Sequence, residues 1–341
     1  MTTKIAINGF GRIGRAAFKI ALANKNIEVV AINDLTDNKT LAHLLKYDTV
    51  YRQFPAKVEG NEQGIKIDGK LYPIFEEKEP AKLPWAKLKV DVVLECTGKF
   101  TDSKGASEHL KAGAKRVIIS APAKDDTTQT LVFGTQSSID CLGAKKCEPV
   151  ISMASCTTNC IAPVMQILES NFGIEKAFMT TIHSYTADQN LVDGPHRDLR
   201  RARAAAQSII PTTTGAALAV AKVIPPLNNL FDGISVRVPT ICVSLSDVTA
   251  VLKQKEVTVK QVNDAFLAAT KNQLFKNVLA IAEAPLVSAD FTGSSYSAIV
   301  DLDYTNVIGG NFVKVLAWYD NEWGYSTRLV EMAEQVGKLI K

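Results

Sequence analysis

KIAINGFGRIGRAAFKIALANKNIEVVAIND (residues 4–34) reads as an apolar strand, a glycine turn, a helix and a second apolar strand closed by an acid. KIAIN (4–8) runs directly into Gly9, Gly11 and Gly14, which have the spacing G-x-G-x-x-G. RAAFKIALAN (15–24) carries apolar residues at helical intervals, and IEVVAIN (27–33) ends on Asp34, twenty residues after Gly14. The glycine spacing is weak alone. Strand, helix, second strand and acid in that order make it a strong signal for a parallel α/β sheet that binds a dinucleotide.

Each residue has a physical task in that reading. Gly9 permits the tight turn, Gly11 lets the backbone approach a pyrophosphate, and Gly14 allows close helix–strand packing. The helix start at Arg12 and Ile13 offers free N–H groups and a partial positive charge to phosphates. Asp34 can accept from both ribose hydroxyls and repels a 2′-phosphate, so the expected cofactor is NAD. Two further runs, VDVVLECTG (90–98) and RVIISAP (116–122), are near-continuously apolar, as strands buried on both faces should be. Each ends in a small polar residue, Thr97 or Ser120. These are cofactor neighbours beyond the strand ends or simply turn and cap residues, two readings of equal weight.

The composition fits this. At 341 residues the chain has room for two domains. It is 46% hydrophobic and 22% charged, with a formal net charge of only +4, so no basic footprint points to nucleic acid. No apolar run is long enough for a membrane span, and the N-terminus enters a strand without a signal-like segment, so a cytosolic address is expected. The six cysteines (Cys96, Cys141, Cys147, Cys156, Cys160, Cys242) are sparse, form no staple framework and lack zinc spacing, so reduced thiols and no metal are expected.

ISMASCTTNCIAPVMQIL (151–168) carries the chemistry. A strand-like run stops at Ala154 and Ser155, and Cys156 falls in the first turn of the helix that follows. There free N–H groups and the dipole favour a thiolate, with an expected pKa of roughly 6. Cys160, one turn later, is expected to point into packing. His183, read alone, is more often a satisfied core histidine than a base. His43, His109 and His196 receive no role.

SCTTNC (155–160) strongly resembles the active-site signature of the glyceraldehyde-3-phosphate dehydrogenases. NGFGRIGR, VAIND, ECTGKF, ISAPAK, TTIHSYT, DLRRARAAA, IIPTTTGAA, VRVPT and YDNEWGYS follow the same family's order over essentially the whole chain. The resemblance implies an N-terminal Rossmann dinucleotide-binding domain (1–155) completed by the C-terminal helix (321–341), and an α+β catalytic domain (156–320) with a mixed or antiparallel sheet. It implies Cys156 as nucleophile and His183 as base, and oxidative phosphorylation of D-glyceraldehyde 3-phosphate to 1,3-bisphosphoglycerate with NAD. A substrate-phosphate site of Thr186, Arg237 and Arg201 is implied, and an inorganic-phosphate site of Ser155, Thr157, Thr214 and Gly215. Asn321 is implied as the holder of the nicotinamide carboxamide, Lys78 as a backbone contact to adenine, and a homotetramer as the assembly.

Some positions depart from the family pattern. Lys78 replaces a usual arginine, Gly194 a bulkier apolar residue, Leu218 a frequent lysine, and Thr135-Gln136 a usual Val-Asn. Gly194 weakens the inference of NAD over NADP without reversing it. Three rivals are weighed. Erythrose-4-phosphate dehydrogenases share the cysteine motif but tend to lack the TTTGAA Thr-Gly and the HSYT threonine, both present here. A semialdehyde dehydrogenase would want different arginines for a carboxylate. An RNA-binding or scaffold protein on a dinucleotide fold would need no Cys–His–Asn set.

Overall fold

The computed structural model describes residues 2–144 and 146–340. The chain divides into two compact units: Met1–Leu131 with Asp140–Ala154 and Ser326–Lys341, and Val132–Ile139 with Ser155–Tyr325. The short 132–139 stretch thus groups with the second unit, where Gly134 lies against Pro163, Val278 and Phe275.

In the first unit a nine-stranded sheet runs, in spatial order, Gln129–Thr130, Val150–Ser152, Arg116–Ile119, Val92–Glu95, Thr3–Asn8, Ile27–Asn33, Lys70–Phe75, Gly64–Ile67 and Val58–Asn61. The seven strands from Gln129 to Lys70–Phe75 pair in parallel, and an antiparallel meander adds the last two. Ile5 and Ile7 face one side and Ala6 the other, and all three are fully buried. Burial on both faces explains why these strands lack a polar alternation. Thr3–Asn8 sits at the point where strand order reverses, which is where α/β sheets bind ligands.

The second unit holds a seven-stranded mixed sheet in the order Ile210–Thr213, Phe231–Val238, Ile174–Ser184, Ser244–Leu252, Phe312–Tyr319, Ala298–Ile308 and Leu279–Ile281. Ile174–Ser184 is parallel to Phe231–Val238 and antiparallel to Ser244–Leu252, which is antiparallel to Phe312–Tyr319. The C-terminal ends of three strands and the start of Ser244–Leu252 therefore share one edge. The helix Cys156–Phe172, with most of its residues buried, packs in the same unit. Among the described residues no helix is long and apolar enough to cross a membrane.

One expectation is overturned. Cys141 and Cys147 are joined in a disulfide, with Cα atoms 5.1 Å apart. Cys141 lies in the helix Gln136–Ala144 and Cys147 follows six residues later, a pairing that spacing alone did not reveal. The other four cysteines take no part in a disulfide.

Candidate active site

In the first unit, the glycine turn, Asp34 and the end of Val92–Glu95 enclose a cleft of about 590 Å³. Gly9 has φ +93°, and a Cβ there would meet the Cys96 carbonyl carbon at 2.7 Å. A Cβ on Gly14 would collide with the Gly9 carbonyl oxygen, whereas one on Gly11 would meet nothing and point into open space. The helix Arg12–Ala23 starts at the cleft with Gly11 as its cap, which makes no side-chain hydrogen bond to the first turn. Asp34 accepts from the Phe10 N–H at 2.7 Å and the Thr36 N–H at 2.9 Å, which anchors its carboxylate beside the turn. Lys78 and Thr97 line the cleft with Asp34, Gly9 and Gly11. Arg12 instead pairs with Asp48 at 2.8 Å, and Ile13 and Gly14 lie in the helix beneath. Ser120 is half-buried and donates its N–H to the Glu95 carbonyl.

In the second unit, Ser155 caps the helix Cys156–Phe172 by accepting from the Thr158 N–H at 3.0 Å, which sets Cys156 at the first helical position. The His183 Nε2 lies 3.5 Å from the Cys156 Sγ. The other ring nitrogen is 2.7 Å from the Ser184 carbonyl oxygen, which can only accept. Nδ1 therefore carries the proton and Nε2 presents its lone pair to the thiol. Strand register pairs His183 with Arg237, so base and arginine are neighbours across the sheet. Arg237 donates to the Thr186 hydroxyl at 2.9 Å.

The electrostatics correct the sequence reading. Burial pushes the Cys156 thiol up, against the opposing pull of the Arg237 charge and the Thr157 N–H and hydroxyl. A thiol near pKa 6 is thus not what the site holds at rest. Burial, with Arg237 second, pushes His183 down to about 3. The resting pair is a thiol beside a neutral imidazole. Cys160 is fully buried, as expected, with its Sγ 3.9 Å from the Ala317 carbonyl oxygen.

Other expected residues lie around this cluster in different states. The Thr157 hydroxyl meets the Tyr319 hydroxyl at 2.9 Å, and the latter also meets Thr181 at 2.8 Å. Asn321 accepts through Oδ1 from Ser184 at 3.0 Å and Ser244 at 3.2 Å, so its amide N–H groups are the ones left to offer. Arg201 is committed elsewhere: it pairs with Asp188 and Asp198 and donates to the Thr212 hydroxyl and the Thr213 carbonyl. Thr214 and Gly215 open the helix Ala216–Val223, and among the described residues no hydrogen bond joins them to the cysteine cluster. Tyr319 and Gln189 were not singled out from sequence. Gln189 is buried and lies 3.4 Å from Arg237.

Residues 3–103 match the family model described as the glyceraldehyde 3-phosphate dehydrogenase NAD binding domain, and residues 155–321 match its C-terminal domain. The chain belongs to the glyceraldehyde-3-phosphate dehydrogenase family. It is 52% identical over 336 residues to the glyceraldehyde-3-phosphate dehydrogenase of Geobacillus stearothermophilus, covering 98% of both chains. It is 53% identical over 331 residues to glyceraldehyde-3-phosphate dehydrogenase 1 of Bacillus cereus, and 50% identical over 343 residues to the Borreliella burgdorferi enzyme, covering 97% of both chains and 99% and 100% respectively. The cleft of the first unit fits the family's NAD. Gly11 leaves room where a Cβ would intrude, the helix start has no side-chain cap, and Asp34 is anchored for a ribose.

Proposed function

We propose that Cys156 and His183 carry out the family's reaction, the oxidation of D-glyceraldehyde 3-phosphate by NAD and its phosphorylation to 1,3-bisphosphoglycerate. The observation that carries the assignment is the 3.5 Å approach of Sγ to a ring nitrogen whose lone pair is fixed toward it. As Sγ adds to the aldehyde carbon, Nε2 takes the thiol proton and returns it to the new alkoxide, giving a hemithioacetal. NAD, when bound, supplies the two-electron acceptor. His183 then removes the hemithioacetal hydroxyl proton as the carbon is oxidised to a thioester. Phosphate attacks that thioester, the acyl phosphate leaves, and the thiolate regains its proton from His183.

Thr186 and Arg237 are the proposed holders of the substrate phosphate, since a guanidinium and a hydroxyl 2.9 Å apart form a ready anion site. Ser155, Thr157, Thr214 and Gly215 are proposed for inorganic phosphate, and Asn321 for the nicotinamide amide. Arg201 would join only by releasing Asp188. A homo-oligomer, a tetramer in this reading, is supported by surface chemistry. The five most exposed large apolar side chains among the described residues, Leu191, Val192, Leu199, Ile209 and Leu218, fall within one short region and are 71–80% exposed. No other role for Leu218 emerges. A cytoplasmic site of action belongs to the same proposal.

The test is NADH production in buffer free of phosphate and arsenate. One NADH per active site should form in a burst, and added phosphate should restore steady turnover. Sustained turnover to a free acid without phosphate would refute the phosphorylating mechanism.

A further inference from the structure

The last residues of three neighbouring parallel strands form a buried polar row at the nucleotide cleft. Asn8 ends Thr3–Asn8, and strand register sets it opposite Asn33 on one side and Glu95 on the other. Asn8 and Glu95 are 1% exposed and Asn33 is 4% exposed. The row leads outward to the backbone of Glu77, where its geometry is unambiguous. The Glu77 N–H, which can only donate, meets Asn33 Oδ1 at 2.9 Å. The Glu77 carbonyl, which can only accept, meets Asn33 Nδ2 at 2.9 Å. One side-chain amide thus binds both backbone groups of one residue, in an orientation set by partners that cannot exchange roles.

The same Asn33 nitrogen donates to Asn8 Oδ1 at 2.7 Å, which turns Asn8 Nδ2 toward Glu95 Oε2 at 2.5 Å and His109 Nε2 at 3.3 Å. His109 is held in turn by the Trp85 indole N–H, 3.0 Å from its Nδ1. Rotation of the Asn33 amide would therefore break bonds on both of its sides.

What this amide holds is a wall of the cleft. The ladder between Ile27–Asn33 and Lys70–Phe75 ends where the Asp34 N–H donates to the Phe75 carbonyl at 3.0 Å. The Asn33 side chain extends the pairing two residues further, to Glu77. The Glu77 carboxylate accepts from the Glu79 N–H at 2.9 Å, which folds the chain around Lys78. Among the described residues neither the N–H nor the carbonyl of Lys78 has a hydrogen-bond partner. Lys78 lines the cleft together with Asn33, Asp34 and Glu77, so its backbone groups remain for a ligand.

We infer that Asn33 is a positioning residue for recognition of the cofactor's base. By clamping Glu77 it holds the Lys78 carbonyl where it accepts from the exocyclic amino group of adenine, and so makes the cleft select a 6-aminopurine over a 6-oxopurine. A carbonyl cannot donate, so it gains a hydrogen bond from an amino group but meets a second lone pair on a 6-oxo group. The inference rests on NAD occupying this cleft with its adenosine beside Asp34 and Lys78.

Calorimetric titration of the full-length protein with NAD and with nicotinamide hypoxanthine dinucleotide tests it. The two ligands differ only in the base, so ribose, pyrophosphate and nicotinamide contacts cancel in the ratio of their Kd values. The parent should favour NAD by roughly tenfold, about what one neutral hydrogen bond supplies, and Asn33→Ala should bring that preference to within about twofold. A purely structural loss would weaken both dinucleotides alike and leave the ratio with the parent. If Asn33→Ala does not fold, Asn33→Ser releases the clamp while leaving room for water to meet Glu77 and Asn8, and the same fall is expected. A parental ratio in the folded variant overturns the inference, as does a parent that binds both dinucleotides equally. Failure of the parent to bind NAD at all would overturn the placement of the cofactor, and the inference with it.

Discussion

His183 shows how one side chain is fixed for its task by neighbours that do no chemistry. The Ser184 carbonyl holds its proton on Nδ1, strand pairing sets Arg237 beside it, and burial keeps it neutral. That neutrality has a cost in acid. Its pKa of about 3 lies below the ordinary histidine value of ~6.5, so below pH ~6.5 the unfolded chain takes up a proton that the folded chain refuses. The stability contributed above that pH is lost as pH falls from ~6.5 toward about 3. At pH 5 the loss is ~2 kcal/mol relative to pH 7. Urea midpoints at the two pH values should show His183→Gln losing less than the parent by about that amount. Equal losses would mean that His183 is not held neutral. The motif located this residue and Cys156, but not their charge states, because burial depends on residues far away in sequence. Tyr319 had a readable signal: in FVKVLAWY (312–319) the buried positions alternate and include it. His109 had none, since its partners Trp85 and Glu95 are distant in the chain and nothing in their spacing ties them together.

At the scale of elements, the active cysteine depends on where one helix starts. Ser155 accepts from the Thr158 N–H and so closes the first turn, after Ala154 takes the unusual φ of +53°. Ser155→Ala should therefore destabilise the protein by ~1 kcal/mol, and Ser155→Gly by only a few tenths. If Ser155 also binds inorganic phosphate, both variants should raise the KM for phosphate alike. The contrast separates the two roles, with denaturant midpoints reporting the cap and steady-state kinetics the ligand. Equal stability of the Ala and Gly variants would remove the cap role. The sequence located this helix start well, as it did IEVVAIN as Ile27–Asn33. It overran elsewhere. The apolar run 90–98 is a strand only over Val92–Glu95, because Gly98 turns at φ +70° and Glu95 folds back onto the Thr97 N–H. The meander of Val58–Asn61, Gly64–Ile67 and Lys70–Phe75 went unread, although Asp68-Gly69, both at positive φ, is a hairpin signal.

At the scale of the whole molecule, the nucleotide-binding unit is assembled from segments at both ends of the chain, and its stability should depend on the last one. Ser326–Lys341 belongs to the same compact unit as Thr3–Asn8. Leu329, Val330, Met332, Ala333 and Val336 are fully buried, and Glu334 accepts from Asn24 at 2.9 Å and Asn26 at 3.0 Å. A Cβ on Gly337 would strike the Thr3 side chain, so this helix lies directly on the first strand. Burying a large apolar side chain contributes roughly 1.5–3 kcal/mol, so four such residues together rival the ~5–15 kcal/mol net stability of a typical domain. Deleting 326–341 removes no residue of the cleft, yet it should abolish NAD binding because the unit cannot hold its fold. Leu329→Ala is the milder form. It should lower stability by ~2–5 kcal/mol while leaving the Kd for NAD near the parent value under conditions where the protein stays folded. Calorimetry for binding and denaturant unfolding for stability would measure both. A truncated chain that binds NAD with parental affinity would show that the nucleotide-binding unit holds its fold without the terminal helix, which would then be only a surface covering.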